Sequence, residues 1–481
     1  MQTKQFRTKE NMASRRNPEE WLNNELDRIS QLPDPLICQV LYHLPTKDAV
    51  RTSVLSTRWR TLWLWVPRLE LNYRDFQKKD PLDRITDIWH GIPRLGLNYR
   101  ALQQKDALVN FGDRFFGSDR VSGIDKLELD VESNEGMDSN EGVGYYDSYV
   151  TPWIDAAVKR KIQHLDVRTD PDDSNRYGPF NAYFHGMPPS LYTSETLVSL
   201  KLDGVFLRDS EFISLPSLKI LHLMSMMNPR EATFERLISS SPVLEELEVN
   251  NSLNDDVKVF RVISRSLKRL SIQERMSEVV IDAPRLVHLS IDSSLSGSYA
   301  ITSTMDTNVK LVIQHGSYFG DFDETSILSN IERFRSCLSG TSKVRDMTIL
   351  GGGGFTGYSC LRWLPTILES FPNLKSLTLE CDTDRERSRE LELEDMDEIN
   401  ISYVPECLLS SLEFVDFNVP LLSVVGEMNI LRYILENSAI LKKLTLHLHK
   451  DCSTKDELVK KLLEIPRGST KCEVVFFDWK A

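Results

Sequence analysis

The 481-residue chain has no run of apolar residues approaching the ~18 that a membrane-spanning helix needs. That excludes a bundle of membrane helices. The stretch Met1–Glu20 is polar and charged with no apolar run behind it, so neither a secretory leader nor an anchor is expected there, and Met12 offers an alternative start. Cysteine is sparse and scattered: Cys38, Cys337, Cys360, Cys381, Cys407, Cys452 and Cys472 are odd in number and contain no CxxC pair. A disulfide framework is therefore excluded, and reduced thiols in the cytoplasm or nucleus are expected. Basic charge is short as well. Lys and Arg total 58 against 71 Asp and Glu, a net charge of -13. A chain that acidic is a poor general binder of polyanions, so no nucleic-acid partner is expected.

Catalytic signatures are also missing. There is no HExxH, phosphate-binding loop, GxSxG or kinase motif. Gly351 to Gly354 is not followed by Gly-Lys-Ser/Thr and reads as a turn. His447 and His449 share a strand face but have no third ligand, so they read as ordinary histidines rather than a metal site. No cysteine has a histidine that the sequence places beside it, which leaves no thiol nucleophile. Neither a catalytic residue, nor a metal, nor a cofactor is expected.

What is present is a globular balance of 41% hydrophobic and 27% charged residues. The length exceeds what one ordinary core holds, which predicts several domains or a repeat architecture. The patterns Asn250-Asn251-Ser252 and Asn400-Ile401-Ser402 fit glycan acceptors but are idle without secretion.

Residues 1–26 read as a disordered lead-in, and residues 27–66 as three short helices. Pro33 suits a first helical position, with Leu36, Ile37, Val40, Leu41 and Leu44 on one apolar face until Pro45 ends the helix. Thr46 caps a second helix with Ala49, Val50 and Val54 inward. Ser56 caps a third, where Trp59, Leu62 and Trp63 fall at i, i+3 and i+4. Three such helices are too few to bury their own apolar surface, so the rest of the chain or a partner must cover the excess. The text LPDPLICQVLYHLPTKDAVRTSVLSTRWRTLW, residues 32–63, resembles an F-box of the plant class that carries leucine-rich repeats. The resemblance implies docking on a Skp-type adaptor and, through it, a cullin. Carried over by position, Leu32, Pro33, Ile37, Leu41, Leu44, Pro45, Val50, Leu55 and Trp59 would supply that contact or its immediate support.

Residues 67–120 contain a tandem duplication. PRLELNYRDFQKKD at 67–80 returns as PRLGLNYRALQQKD at 93–106, with ten of fourteen positions identical at an offset of 26. It reads as a tolerated insertion between the helical module and the segment that opens with Val109-Asn110-Phe111-Gly112-Asp113-Arg114-Phe115-Phe116.

Residues 121–400 read as a repeat array built on a Leu-x-x-Leu-x-Leu frame with apolar substitutes, and the frame itself runs on to residue 446. It occurs at Ile124/Leu127/Leu129, Ile162/Leu165/Val167, Leu197/Leu200/Leu202, Leu218/Leu221/Leu223, Leu244/Leu247/Val249, Leu267/Leu270/Ile272 and Leu286/Leu289/Ile291. After a break it returns at Val344/Met347/Ile349, Leu374/Leu377/Leu379, Leu412/Val415/Phe417 and Leu441/Leu444/Leu446. Between residues 200 and 289 the middle leucine advances by 21, 26, 23 and 19 residues, the period of leucine-rich repeats with one strand each. Alternation points the leucines inward, so Lys201 and Asp203, His222 and Met224, Glu246 and Glu248, Arg269 and Gln273, and His288 and Asp292 must face out and are the candidate target-binding residues. Their mixed charge favours a protein target. The returns are irregular, with helices expected after Asn228-Pro229 and across Ile327 to Leu338. Residues 132–148 read as a flexible insertion, and 380–398, with ten acids and three arginines, as a solvated acidic loop.

Residues 401–481 change character. Thr454-Lys455-Asp456-Glu457 is a capping box, Pro466-Arg467-Gly468 ends that helix, and Cys472 to Phe477 is a buried-strand run; strand, helix, strand predicts a crossover closing the sheet edge. The phrases Asn437-Ser438-Ala439-Ile440-Leu441-Lys442-Lys443-Leu444, Ile465-Pro466-Arg467-Gly468-Ser469 and Cys472-Glu473-Val474-Val475-Phe476 resemble the FBD domain of plant F-box proteins. The expected fold is thus α/β: a small three-helix F-box module, then an irregular leucine-rich-repeat solenoid closed by an FBD block. The resemblances imply a non-catalytic substrate receptor of a ubiquitin ligase; the alternative is a repeat scaffold with no ligase attached.

Overall fold

The computed structural model describes residues 29, 31–72, 75, 104–121, 123–132, 149–170, 186–205, 207–226, 231–250, 259–273, 278–292, 298–302, 309–315, 343–351, 364–381, 403–421, 425–448 and 455–478. The lead-in, most of the second duplicated copy, the insertion after Glu132, the helix expected across 327–338, the bulk of the acidic stretch, the Thr454 cap and His449 lie outside these residues. The chain divides into two compact units, Met1–Glu70 with Arg74–Ile124, and Leu71–Tyr73 with Asp125–Ala481.

In the first unit, α1 spans Asp34–Tyr42 and α2 spans Thr46–Arg51. Two 3-10 turns come next, Thr52–Val54 and Trp59–Trp65, and α3 spans Gln104–Phe116. Three sequence expectations shift here. Pro33 is the extended N-cap of α1 (φ -58, ψ 147) rather than its first residue, because Pro35 already occupies the first turn. Pro45 takes the cap of α2, which leaves the Thr46 hydroxyl to accept the Glu70 N–H at 2.8 Å. The third helix is a 3-10 helix with no side-chain cap, not an α-helix capped by Ser56. Part of the apolar excess is covered from within the chain. The Trp63 ring stacks on Phe111 at 5.9 Å and on Phe115 at 6.2 Å, so α3 covers Trp63. Trp59, Leu62, Ile37 and Leu41 complete this core.

The second unit is built on a parallel ladder. The strands described along the chain are β1 Arg68–Asn72, β2 Lys126–Glu132, β3 His164–Asp170, β4 Ser199–Asp203, β5 Ile220–Met224, β6 Glu246–Asn250, β7 Val259–Ile263, β8 Arg269–Gln273, β9 Glu278–Asp282, β10 His288–Asp292, β11 Ser298–Ile301, β12 Lys310–His315, β13 Asp346–Gly351, β14 Ser376–Cys381, β15 Phe414–Leu421, β16 Lys443–Leu448 and β17 Glu473–Asp478. Among the described residues, fourteen strands form one sheet in the order β1-β2-β3-β4-β5-β6-β8-β10-β12-β13-β14-β15-β16-β17. Strand β1 contains the point at which the first unit gives way to the second.

Register explains why the leucine frame repeats. Leu200, Leu221, Leu247, Leu270, Leu289 and Leu311 are Cα partners in succession, followed by Met347, Leu377, Val415, Leu444 and Val474. From Leu200 to Leu444 these side chains are at most 2% exposed. Each contributes on the order of 1.5–3 kcal/mol by leaving water. The carbonyl preceding each strand ties one repeat to the next. The Lys219 carbonyl accepts from the N–H groups of Glu245 and Glu246 at 2.8 and 2.9 Å, and the Lys375 carbonyl does the same for Glu413 and Phe414 at 2.8 and 3.0 Å.

The gap between Ile291 and Val344 holds β12, whose Leu311 and Ile313 are fully buried. The returning segments include a second, three-stranded parallel sheet, β11-β9-β7. Phe260 of β7 meets Phe234 of helix α5 (Glu231–Ser239) edge to face at 5.7 Å. Toward the C-terminus the returns become helical: α8 spans Val425–Asn437 and α9 Lys455–Glu464, numbering helices in chain order with Val150–Lys159 as α4, Leu364–Leu368 as α6 and Glu406–Ser410 as α7. Gly468 lies so close to this layer that a Cβ would sit 2.6 Å from the Glu436 carbonyl.

Candidate protein-docking surfaces

The first surface lies in the helical unit. Helix α1 has apolar residues on two neighbouring stripes, and only one is covered. Ile37 and Leu41 are at most 1% exposed, whereas Leu36 and Val40 stand 46% and 49% exposed. Val54, expected inward, is exposed, as is Leu55 at 65%. Of the sequence-derived docking residues, Ile37, Leu41, Val50 and Trp59 lie in the core, Leu32 and Leu44 are half-buried, and Pro33, Pro45 and Leu55 are exposed. Leu36, Val40 and Val54 join the exposed set. Their signal in the sequence was a stripe five aliphatics wide in nine residues, wider than one neighbour covers. Arg58 clips this surface together: its Nε donates to Asp34 Oδ1 at 2.7 Å and its Nη2 donates to the Leu32 carbonyl. Cys38 sits beneath, with Sγ 3.6 Å from the Leu62 carbonyl. Burial and the Asp34 carboxylate push its thiol pKa up, so it stays protonated.

The second surface is the face of the long sheet opposite the leucines. Its residues fall in three rows set by register. One row runs through Glu246, Arg269, His288 and Lys310; the next through Asp166, Lys201, His222, Glu248, Ser271 and Ser290; the third through Arg168, Asp203, Met224, Asn250 and Gln273. The candidate target residues therefore share one face but are spread over all three rows. Asp292 takes the last place of β10, in register with Gln314.

The charged half of this face is largely self-paired. His222 Nε2 lies 2.7 Å from Glu246 Oε1 and its Nδ1 3.3 Å from Glu248 Oε2. Arg269 Nε donates to Glu246 Oε2 at 2.6 Å. Arg168 pairs with Asp166 at 2.9 Å, and Lys126 with Glu128. Burial disfavours the charged form of Glu246, but hydrogen bonds from Arg269 and His222 outweigh it and bring its pKa down. His288 and His164 titrate below the usual histidine value, chiefly through burial, with Lys310 and Arg269 adding to the first and Lys126 to the second. Gln314 is a residue the sequence reading missed: it donates to Ser290 Oγ at 3.1 Å and accepts from Gln273 Nε2.

The strands β12 to β17 differ. Their facing positions include Val312, Thr348, Thr378, Thr445 and Val475 in the middle row, flanked by Phe414 and Phe477 at the edges. Buried chemistry is inert here: the Cys407 thiol is pushed up to about 12 by burial. Among the described residues no group of three or more His, Cys, Asp or Glu is placed to hold a metal, and no helix is long and apolar enough to cross a membrane.

A parallel ladder with one strand per repeat and its leucines in register defines a leucine-rich-repeat solenoid, here following an F-box-like helical unit. Comparison with known proteins agrees at each part. The F-box domain model matches residues 29–71, the leucine-rich-repeat model described for the FBD-associated F-box protein At5g56370 matches 150–379, and the FBD model matches 399–446. The Arabidopsis thaliana FBD-associated F-box protein At5g53635 is 45% identical over 93% of this chain and 100% of its own length. Two Arabidopsis F-box/FBD/LRR-repeat proteins, At2g05300 and At1g51370, are 43% and 36% identical over 93% and 94% of this chain and 97% of theirs. The chain belongs to the plant F-box/FBD/LRR-repeat family.

Proposed function

We propose that this protein is the substrate-receptor subunit of a Skp-adaptor/cullin/F-box ubiquitin ligase, acting in the cytoplasm or nucleus. The observation that carries the reading is the uncovered aliphatic surface of the F-box unit, where Leu36, Val40 and Leu55 stand in solvent while Ile37 and Leu41 already fill the core. A Skp-type adaptor is the partner that surface fits, and the adaptor in turn binds a cullin. The outward face of the repeat strands holds a protein target. The chain itself makes no bond: it raises the target's effective concentration near the ubiquitin-loaded partner and sets its orientation.

Co-capture of adaptor and cullin with the full chain tests this. The wild-type chain should retain both, and Val40→Asp should lose both while melting as the wild type does. Retention of adaptor and cullin by Val40→Asp would contradict the assignment. Target capture without either ligase subunit would favour a free-standing scaffold.

A further inference from the structure

Within the proposed target-reading role of the strand face, on which this inference rests, the two halves of that face are not equivalent. From β2 to β10 the ionic side chains largely satisfy one another, through Lys126–Glu128, Arg168–Asp166, Arg269–Glu246 and His222 between Glu246 and Glu248. A target docking there must break pairs that already exist, and partly exposed ion pairs contribute little in any case. At the other end, β15 to β17 leave two phenylalanine rings in solvent: Phe414 is 44% exposed and Phe477 48% exposed. Aromatic side chains that a fold leaves uncovered are the commonest energetic anchors of an interface.

Both rings are held in place. Lys442 Nζ lies 5.9 Å from the Phe414 ring centroid and is itself 2.6 Å from Glu413 Oε2. His447 stacks on Phe477 at 5.7 Å and 24°, and its Nε2 is 3.2 Å from Asp416 Oδ1. The rings are therefore oriented before any partner arrives, which lowers the ordering cost of binding. Between them the register places Asp416, Thr445 and Val475 side by side, a low floor whose one carboxylate meets His447 through Oδ1 and still keeps its side chain 45% exposed. Among the described facing positions of β13 to β17, the acids Asp346, Glu380, Asp416 and Glu473 meet a single lysine, Lys443.

We infer that the β15–β17 end of the strand face is the anchoring site for the target, and that its occupant is an extended protein segment with two apolar side chains and a basic residue between them. The spacing comes from strand geometry. Phe414 and Phe477 lie two strands and four residues apart in register, which puts their Cα atoms roughly 16 Å apart. An extended chain covers that distance in about five residues. The two apolar groups seat against Phe414 and Phe477, and the basic group falls over Asp416.

Selection of a random twelve-residue phage-displayed peptide library on the purified full chain tests the inference. Peptides carrying two apolar residues about five apart with Lys or Arg between them should be enriched. Their affinity should fall about tenfold on Phe414→Ser and on Phe477→Ser, and Phe477→Tyr should keep it. Thermal melting of both serine variants should match the wild type, since both positions are solvent-facing. Enriched peptides that ignore the phenylalanine variants but lose binding on Glu246→Lys or Arg269→Glu would overturn the anchor site while leaving the strand-face reading intact. Peptides insensitive to all four substitutions, or no enrichment at all, would overturn both.

Discussion

The helical unit and the repeat unit use aliphatic side chains in opposite ways. In the repeats, the leucines at the strand centres are buried almost without exception, and the groups that face solvent are mostly short, polar or ion-paired. The F-box unit leaves Leu36, Val40, Val54 and Leu55 in water although its own core is complete. A fold that is finished without those side chains has no structural use for them, and that is the ground on which they are proposed as the adaptor-docking surface. The repeats, by contrast, cover their leucines with neighbours from the same chain, and on the strand face the exposed rings of Phe414 and Phe477 depart from that rule.

That contrast breaks most severely in the ladder. Leu270→Ala removes a side chain with 0% exposure from the middle of the sheet and should destabilise the repeat unit by about 2–5 kcal/mol, read by thermal melting. Gly468→Ala forces a methyl group to 2.6 Å from the Glu436 carbonyl and should destabilise by about 1–3 kcal/mol, which chemical denaturation of the full chain reads. Deleting residues 67–92 should change stability by about 1 kcal/mol or less. The buried Leu69 and Leu71 of β1 are replaced by Leu95 and Leu97 of the second copy. In the F-box unit, Leu36→Ala should change stability by about 0.5 kcal/mol at most while weakening adaptor capture. A loss of stability equal to that of Leu270→Ala would place Leu36 in the core and erase the comparison.

The pH response of the strand face is smaller still when measured per histidine. His288 and His164 have folded pKa values below their unfolded ones. The unfolded chain therefore binds more protons as pH falls through the unfolded histidine value toward the folded one, and stability is lost over that window. His288→Gln should flatten the dependence between about pH 6.5, the unfolded histidine value, and the lower folded value, because the burial that disfavours the charged ring acts only in the folded chain. Melting curves across that range check it.

Where the sequence could be read, a strict local pattern coincided with a strict structural need. A leucine three residues before a Leu-x-Leu pair marks a strand because all three side chains must enter one core, and every frame from Ile124 to Leu446 forms one. Strand β12 escaped because Asn308 stands where the leading apolar residue belongs. The β7, β9 and β11 ladder escaped because Val259 to Ile263 and Glu278 to Asp282 alternate like any strand but return on the other layer, which periodicity does not encode. The exposed aliphatic surface of the F-box unit was only half legible. Spacing showed that Leu36, Ile37, Val40 and Leu41 belong to one apolar stripe, but which half of it the Trp63, Phe111 and Phe115 cluster would leave bare depends on packing far along the chain. The self-pairing of Glu246, His222 and Arg269 likewise needs the register, not the spacing, to be seen.

Separate action of the two surfaces is tested most directly by calorimetric titration of a purified Skp-type adaptor into the full chain. Leu55→Asp should weaken adaptor binding at least about tenfold, ~1.4 kcal/mol, whereas Glu246→Lys, on the strand face, should bind the adaptor as the wild type does. Equal adaptor affinity for Leu55→Asp and the wild type would show that the exposed aliphatic surface is not where the adaptor docks.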